Sequence, residues 1–369
     1  MDKINILYVI PQLNIGGAEL QLLKLIKGLD KKQYNIFLIN LDKNAIMLEK
    51  EYKEAGAKIL DISKEGKFDF IIIFKIRKAI RKYKIKVIHS FLNNTWSRIA
   101  CIGMKNMPKI LIGERSIDDW WKKWYHFSID RFLLRYTDYI TCNSDQIKEY
   151  YKEKLKIEDE KFKVIYNGIE IEDYIFSKEE VEESKKRYIT NSNDIIFAII
   201  GSLRDVKDHM TLLKAVRSLK EENITNFKVF IIGDGHRREE YENYVKENDI
   251  DDLIVFKGNI RPVNDILKCI DVGLSTSIQE GLSNSIIEFC VSGKKVISTK
   301  VGGNIELIIE GENGYFINVG DYKELASLMK KFLNQEISTE LNKEKLENFR
   351  DKFEINKMIY NYDLLYKEE

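Results

Sequence analysis

The chain has 369 residues with a net charge of +1, and 44% of its residues are hydrophobic and 32% are charged. These values are typical of a folded, water-soluble protein of two α/β domains, and they exclude a disordered chain and a membrane-embedded one. The apolar runs have the length of strands, and the four cysteines form no CxxC pair. We therefore expect a chain of the reducing cytoplasm, without a signal peptide or a metal site.

The net charge conceals a difference between the two halves of the chain. Residues 1–170 carry 32 Lys and Arg against 22 Asp and Glu, whereas residues 171–369 carry 28 against 37. A basic half suits a surface of anionic lipid, a phosphorylated acceptor or nucleic acid. Uneven lysine usage with no charged partner gives the same difference, and the sequence leaves both interpretations open.

The first half alternates β-branched runs with amphipathic segments. Strands are predicted at residues 5–10, 34–40, 57–62, 87–92, 109–114, 139–144 and 163–169, and helices at residues 18–29, 49–56 and 74–86. This βαβα order is typical of a parallel, doubly wound sheet.

The second half restarts the same order after a polar segment at residues 170–193, where we place the domain boundary. Strands are predicted at residues 194–203, 227–235, 254–259, 271–277 and 294–299, and helices at residues 211–220 and 236–248. The sequence therefore predicts two Rossmann-like domains with a cleft between them, an N-terminal one at 1–170 and a C-terminal one at 171–351.

The most informative segment is residues 271–308. It reads as a strand, a loop that carries Glu280, and a helix whose N-cap is Ser283 or Asn284. Amide groups at the start of such a helix form a site for a diphosphate. Glu280 before this site and Glu288 after it are placed to bind hydroxyl groups on either side, as a nucleotide-sugar requires. An ordinary strand–loop–helix with two surface carboxylates is the alternative for this pair alone.

The sequence EGLSNSIIE at 280–288 resembles the signature of two glutamates separated by seven residues in the family-four glycosyltransferases, a group of retaining enzymes with the GT-B fold. Four other stretches are similar to that family: GKKVISTKVGGNIELI at 293–308, NGI at 167–169, GDG at 233–235 and the early glycine turn. The resemblance runs over nearly the whole chain. It implies the two domains given above and a last helix, at about 352–369, that returns to the first domain.

The resemblance also implies the parts of a donor site. Glu280 would contact the donor hexose and Glu288 the nucleotide ribose. The amides of Leu282, Ser283 and Asn284 would bind the diphosphate.

The glycine turn at Gly16 and Gly17 would close over the same diphosphate from the first domain. Glycine lets the backbone approach a ligand closely, and a helix begins directly after this turn. A tight turn with no ligand is the other interpretation.

The segment GSLRDVKDH at 201–209 departs from the family pattern, which has Arg directly after the glycine and Lys five residues later. Lys207 matches, but Ser202 takes the Arg position and Arg204 follows two residues on. Negative charge that develops on a leaving diphosphate needs cationic support. Either Arg204 supplies it, or Lys207 and the helix share it and Arg204 is a solvated surface charge.

The segment VIHSFL at 87–92 departs as well, since the family often has His-x-His here. His89 is present, but Phe91 takes the second position, so this chain has no imidazole there for the polar contact that the family usually makes. His89 is either an acceptor-side residue or a core histidine. Arg115, at the end of a predicted strand, is a second acceptor-side candidate that would meet an anionic acceptor or a donor phosphate.

Three of the four tryptophans fall within residues 118–127, DDWWKKWYHF, interleaved with two lysines. This composition suits a membrane interface or a groove for a lipid-linked acceptor. The alternative is a helix that packs its aromatic side chains into the core.

We therefore expect metal-independent transfer of a hexose or N-acetylhexosamine from a nucleotide-sugar, by resemblance a UDP-sugar, with retention of anomeric configuration. The acceptor would be a glycan on a lipid carrier in cell-surface polysaccharide or glycan assembly, with the enzyme cytoplasmic or peripheral at the inner face of the membrane. No nucleic acid partner is expected.

The other hypotheses are a nucleotide-sugar epimerase or hydrolase with the same fold, a non-catalytic nucleotide-sugar-binding protein, and an NAD-dependent dehydrogenase. The last would need Gly-x-Gly-x-x-Gly after the first strand, which GGAEL does not provide.

Overall fold

The computed structural model describes residues 3–66, 69–92, 95–117, 122–188 and 194–368. The chain divides into two compact units. The first unit comprises Met1–Gly168 together with Ile355–Glu369, and the second comprises Ile169–Glu354. Each unit contains one parallel β-sheet with helices against it.

The strands of the described residues are numbered in chain order. They are β1 (Ile4–Ile10), β2 (Tyr34–Asn40), β3 (Ala57–Leu60), β4 (Val87–Phe91), β5 (Lys109–Glu114), β6 (Tyr139–Cys142), β7 (Phe162–Val164), β8 (Ile195–Ile200), β9 (Phe227–Ile232), β10 (Ile254–Gly258), β11 (Val272–Ser275), β12 (Lys295–Thr299) and β13 (Gly314–Ile317).

The α-helices of the described residues are numbered in the same way. They are α1 (Gly17–Gly28), α2 (Glu49–Glu54), α3 (Ile71–Lys82), α4 (Thr95–Cys101), α5 (Trp124–Leu133), α6 (Asp145–Leu155), α7 (Lys178–Tyr188), α8 (His209–Glu221), α9 (Arg238–Glu247), α10 (Asn264–Leu267), α11 (Asn284–Val291), α12 (Asn304–Leu307), α13 (Tyr322–Leu333), α14 (Lys343–Phe353) and α15 (Ile355–Lys367).

The sheet of the first unit has the strand order β3-β2-β1-β4-β5-β6-β7, and all of its strand pairs are parallel. Both faces are covered, as the uninterrupted apolar runs require. On β1, the side chains of Ile6, Tyr8 and Ile10 enter a core with α1, α2 and α15. The side chains of Leu7 and Val9 enter the core on the opposite face, with α3, α4, α5 and α6.

The sheet of the second unit has the order β10-β9-β8-β11-β12-β13 and is also parallel throughout. Helices α8, α9 and α13 pack on one face over the core of this unit. The prediction of two parallel-sheet α/β domains is confirmed.

Helix α3 begins three residues before its predicted start, because the apolar run at 70–74 forms its first turn. It ends where Lys84 takes a left-handed conformation (φ 48°) shortly before β4. Helices α4 and α5 were not predicted from periodicity. Their seven and ten residues are too few to establish a clear apolar repeat beside the aromatic cluster.

The first residue of α8, His209, is fully buried in the second unit. Neither ring nitrogen has a hydrogen-bond partner within the described part of the chain, and the centre of the ring lies 5.5 Å from the centre of the Tyr241 ring. Burial, with a smaller contribution from the charge of Lys207, lowers the pKa of His209 to about 4. The native state therefore holds this imidazole neutral.

We predict that His209 makes the protein less stable in mild acid. Between about pH 6.5 and pH 4 the unfolded chain protonates this imidazole and the folded chain does not. The free energy of unfolding should therefore fall by about 1.4 kcal/mol per pH unit as the pH decreases through this window. In His209→Phe this slope should be shallower while stability at pH 7 is retained, as measured by urea unfolding at several pH values. The control His236→Phe, at an exposed position, should not reduce the slope. An unchanged slope in His209→Phe would contradict the assignment.

Candidate functional site

Lys207 and Glu280 are brought together by the strand order of the second unit. β8 and β11 are neighbours in the sheet, but β8 connects to β9 on one side whereas β11 connects to β12 on the other. In open parallel sheets, ligands bind at such a reversal, beyond the carboxyl ends of the strands. The loop after β8 carries Lys207, and the loop after β11 carries Glu280.

The side chains of these two residues are in direct contact. The Lys207 ammonium donates to Glu280 Oε1, and the Ser277 hydroxyl donates to the same oxygen at 2.8 Å. The two charged side chains are 22% and 12% exposed, so they are only partly shielded from water. One cation and one anion are thus held side by side where a polar ligand has access to both.

Two further hydrogen bonds fix the loops that carry this ion pair. The Thr276 hydroxyl donates to the Lys207 carbonyl at 3.0 Å, and the Ile278 amide donates to the Val206 carbonyl at 2.9 Å. The loop after β8 is therefore attached to the loop after β11 by one bond between main-chain groups and one from a side-chain hydroxyl to the main chain. The position of Lys207 relative to Glu280 does not depend on the ion pair alone.

Two glycines allow the strand-end loops to approach this closely. Gly233 (φ 138°) follows β9, and a Cβ atom there would lie 1.9 Å from the Gly201 carbonyl oxygen. Gly302 (φ 46°) follows β12, and a Cβ atom there would lie 1.9 Å from the Glu280 carbonyl oxygen. Both positions require glycine for space and for backbone conformation. The GDG turn and the GG pair of the sequence therefore support the loops of Lys207 and Glu280.

Helix α11 begins where the sequence predicts. Ser283 is the N-cap, and its hydroxyl accepts a hydrogen bond from the Ile286 amide at 3.4 Å. The first amides of a helix have no partner within the helix and carry its positive dipole end. Leu282, Ser283 and Asn284 supply amides at this end, directly after Glu280 in the chain.

Glu288 lies on the second turn of α11. Its Oε1 accepts a hydrogen bond of 3.4 Å from the hydroxyl of Tyr174, which belongs to a short 3-10 helix at Ile171–Tyr174. Burial and the neighbouring Glu288 carboxylate raise the pKa of Tyr174, so its hydroxyl stays a donor at neutral pH.

Sequence analysis missed Tyr174 and Ser277. Tyr174 lies 114 residues from Glu288 with no motif around it, whereas the hydroxyl-rich strand end STS at 275–277 was a usable signal for Ser277.

Ser202 and Arg204 are joined by a hydrogen bond. Arg204 Nε donates to the Ser202 hydroxyl at 2.9 Å, and the Arg204 side chain is exposed. The serine at the family's Arg position thus contacts the arginine two residues later. The cation is displaced along the loop and remains on the loop of Lys207.

Gly16 and Gly17 are at the start of α1 in the first unit. Gly16 is the N-cap and Gly17 the first helical residue. A Cβ atom on Gly16 would lie 2.2 Å from a carboxylate oxygen of Glu19, and the other oxygen of that carboxylate accepts a hydrogen bond from Gln12 at 3.2 Å. The Glu19 side chain therefore folds over the helix start, and glycine provides the space for it.

His89 and Arg115 both lie inside the first unit. His89 is fully buried, and its Nδ1 is 2.7 Å from the Tyr366 hydroxyl on α15. Burial, and then the charge of Arg115, lower the pKa of His89 well below its ordinary value. Arg115 is 8% exposed, and its guanidinium donates to Asn167 and lies 5.1 Å from the centre of the Phe91 ring. The His89 contact connects the middle of β4 to α15, and the Arg115 guanidinium also donates to the Tyr362 hydroxyl of α15 at 3.4 Å. An acceptor-side role for either residue stays a prediction.

The aromatic segment 118–127 is described only in part. Residues 118–121, with two of its tryptophans, lie outside the described residues. Lys122 is buried between Glu114 and Asp130, whereas Trp124 at the start of α5 is 79% exposed.

The described residues contain neither a cluster of metal-ligating side chains nor a membrane-spanning helix. Within the described ranges, no three His, Cys, Asp or Glu residues are grouped so that they could hold a metal ion. No helix there has the length and apolar character needed to cross a membrane.

Similar proteins cover both units. The profile of the glycosyltransferases described as family 4 matches residues 15–173, and that of glycosyl transferases group 1 matches residues 180–352. The chain is 28% identical to the Campylobacter jejuni GalNAc-α-(1→4)-GalNAc-α-(1→3)-diNAcBac-PP-undecaprenol α-1,4-N-acetyl-D-galactosaminyltransferase over 346 residues, 89% of each chain.

Two other similar proteins agree with these matches. The chain is 22% identical to the Escherichia coli UDP-Gal:α-D-GlcNAc-diphosphoundecaprenol α-1,3-galactosyltransferase over 64% of this chain and 62% of that one. The crystal structure of Anabaena HepE in complex with UDP superposes with a TM-score of 0.83 at 17% identity and covers 98% of this chain and 99% of that one. From its two parallel sheets and the profile matches to both units, the chain belongs to the family-four glycosyltransferases with the GT-B fold.

Proposed function

We propose that this glycosyltransferase moves a hexose or N-acetylhexosamine from a UDP-sugar to a glycan acceptor on a lipid carrier, with retention of anomeric configuration, in cell-surface polysaccharide or glycan assembly. We place the reaction at the cytoplasmic face of the membrane, with the enzyme attached peripherally. The relatives from Campylobacter and Escherichia support this, because their names specify sugar transfer to undecaprenol-linked glycans and, in one case, a UDP-galactose donor. These names do not favour an epimerase, a hydrolase or a non-catalytic binding protein.

One observation of the structure carries the proposal: Lys207, Glu280 and the start of α11 lie together at the strand-order reversal of the second unit. In the proposed complex the amides of Leu282, Ser283 and Asn284 bind the donor diphosphate, as helix N-termini bind phosphates. Glu280 accepts hydrogen bonds from the hexose hydroxyls.

Glu288 completes the donor site in this proposal. Its carboxylate binds the ribose hydroxyls, while the Tyr174 hydroxyl holds it in place from the adjacent 3-10 helix. Glu280 and Glu288 stand before and after the first turn of α11, so the hexose and the ribose would lie on opposite sides of the bound diphosphate. Gly16 and Gly17 remain candidate donor contacts of the first unit.

Catalysis in this proposal is electrostatic. As the bond from the sugar to phosphate breaks, negative charge grows on the diphosphate, and Lys207, Arg204 and the α11 dipole stabilise it. We propose that these groups make a metal ion unnecessary. A leaving phosphate oxygen takes the proton from the acceptor hydroxyl on the same face of the sugar, which leads to retention without a covalent enzyme intermediate.

We predict that a UDP-sugar raises the melting temperature of the protein and that GDP- and ADP-sugars do not. A ligand that binds only the folded chain stabilises it by about 2.7 kcal/mol at 100 times its Kd. In Glu288→Gln the loss of charged hydrogen bonds to ribose should weaken UDP-sugar binding about 10- to 100-fold. Thermal unfolding with a panel of donors measures both effects.

The matched control is Glu239→Gln, an exposed glutamate in the first turn of α9. It should bind the UDP-sugar as the wild type does. If no nucleotide-sugar stabilises the wild type, or if both variants respond alike, the donor site proposed here is wrong.

We predict that Arg204→Ala lowers kcat for sugar transfer about 10- to 100-fold with little change in KM, because the arginine acts mainly on charge that develops in the transition state. The exchange variant Ser202→Arg/Arg204→Ser moves the cation to the family's usual position and should recover activity to within a few-fold of wild type. Full activity in Arg204→Ala would show that Arg204 is only a solvated surface charge. Loss of activity in Arg204→Ala without recovery in the exchange variant would show that a cation at position 202 cannot replace Arg204.

A further inference from the structure

Exposed aromatic side chains are concentrated on one surface of the first unit. Among the described residues, six large aromatic side chains are exposed, and five of them lie on α3, on α5 or just before α3. These five are Phe70, Phe74, Trp124, Tyr125 and Phe132, with exposures between 46% and 79%. Ile71 and Ile129 add exposed aliphatic surface on the same two helices. Single exposed apolar residues are common, but a group of this size marks an interaction surface.

These residues lie on a single layer of helices. Helices α3, α4 and α5 cover the same face of the sheet and share one core, to which α6 also contributes. The centres of the Phe70 ring and the Trp96 ring on α4 are 6.0 Å apart. Arg77 on α3 donates to the Ala100 carbonyl on α4 at 2.8 Å. We call the outer surface of this layer the α3–α5 surface.

Buried charges hold α5 in this layer. Arg98 of α4 is fully buried and ion-paired with Asp130, the one acidic residue of α5. Lys122 lies 3.7 Å from Asp130 and 3.4 Å from Glu114 at the end of β5. Because Asp130 is directed inward, the outer side of α5 presents aromatic, aliphatic and cationic side chains with the uncharged Ser128, and no carboxylate.

The α3–α5 surface is also strongly basic. From residue 70 to residue 113 the sequence has ten Lys or Arg residues and no Asp or Glu, although Arg98 is buried and Lys109 belongs to β5. Lys78, Arg81 and Lys82 are exposed on α3, and Lys123, Arg131 and Arg135 are exposed at α5. Arg135 stacks on the exposed Phe132 ring at 4.1 Å.

A groove of about 420 Å³ lies between α4 and α5 on this surface. Its lining is almost entirely aliphatic and aromatic, from Ile99, Ile102, Ser128, Ile129, Phe132 and Leu133. A groove of this composition is suited to hydrocarbon and offers almost no polar group for a peptide backbone or a sugar to contact.

We propose that the α3–α5 surface docks the protein onto a bilayer of anionic phospholipid. On the described residues of α3, α4 and α5, aromatic and aliphatic side chains lie between cations and no carboxylate is exposed, which is the pattern of interfacial membrane-binding helices. The exposed Glu65 beside α3 lies 4.0 Å from Lys75. Phe70, Phe74 and Phe132 enter the region between headgroups and acyl chains, and the groove between α4 and α5 receives part of an acyl chain. Lysines and arginines beside them contact lipid phosphates, and each contributes about fivefold to binding.

This inference deepens the proposed function, since it rests on an acceptor presented at a membrane and identifies the surface that reaches it. A surface that binds another protein would instead be expected to carry both acidic and basic side chains, because the partner's surface carries both signs of charge.

The test is co-sedimentation of the full chain with vesicles of phosphatidylcholine, with and without phosphatidylglycerol. We expect at least about tenfold stronger binding to the anionic vesicles, and weaker binding as salt is raised, as screening requires. The double variant Phe70→Ser/Phe74→Ser should lower binding about tenfold or more through lost apolar burial. Lys78→Glu/Arg81→Glu should lower it about 25-fold or more through lost and reversed charge.

The matched control is Tyr360→Ser/Leu364→Ser, which removes two exposed apolar side chains from α15 on the other face of the same sheet. It should bind vesicles as the wild type does. All variants alter exposed residues, and circular dichroism checks their folding.

Three results would overturn the inference: no binding of wild type to anionic vesicles, equal loss of binding in the control, or dimers that only the Phe variant disrupts. The donor test is independent of this one. Vesicle binding without UDP-sugar stabilisation would remove the proposed function, and UDP-sugar stabilisation without vesicle binding would remove only the docking surface.

Discussion

The loops of the second unit lie against one another with no space for side chains between them. The amide of Gly303 donates to the Gly281 carbonyl at 2.8 Å, and a Cβ atom on Gly303 would lie 2.1 Å from that oxygen. This main-chain contact fixes the loop that ends at α11. Because that loop carries Glu280, the position of the carboxylate beside Lys207 follows from backbone packing, and so does the direction of the first amides of α11. The candidate donor site is therefore built by the sheet and its tight turns before any side chain contributes.

The first unit uses its polar residues differently. Tyr8, His89 and Tyr366 form a buried hydrogen-bonded chain, in which the Tyr8 hydroxyl donates to Tyr366 and His89 Nδ1 lies 2.7 Å from the same hydroxyl. This hydrogen-bonded chain attaches α15 to β1 and β4. These three polar side chains are part of the core of the first unit, whereas exposed cationic side chains of the unit lie on the α3–α5 surface.

Much of the fold could be predicted from the sequence, because it is encoded locally. Continuous β-branched runs indicate strands buried on both faces, and a serine before an apolar repeat indicates the start of α11. The contact of Lys207 with Glu280 could not be predicted from spacing, since the two residues are 73 positions apart and meet only through the strand order. The family resemblance brought both into one site, but it gave no indication of the Tyr174 contact with Glu288.

The sequence also could not predict which side chains of the aromatic segment 118–127 enter the core. Its sequence permits both a core helix and an exposed surface, and α5 contains both, with Phe127 buried and Trp124 exposed. Only the position of α5 on the sheet decides which side chain enters the core. Likewise, Phe91 fills the space beside Arg115 at a place where the family often has histidine, and no periodicity could have indicated that contact.

The most direct test of the central claim, that the start of α11 and Lys207 bind a donor diphosphate, is a comparison of UDP with uridine by isothermal titration calorimetry. If the diphosphate is held by helix amides and Lys207, UDP should bind about 100-fold more tightly than uridine, which corresponds to about 2.7 kcal/mol, with UMP between them. Equal affinities for UDP and uridine would contradict the account, because the phosphates would then contribute nothing at the site that the fold builds for them.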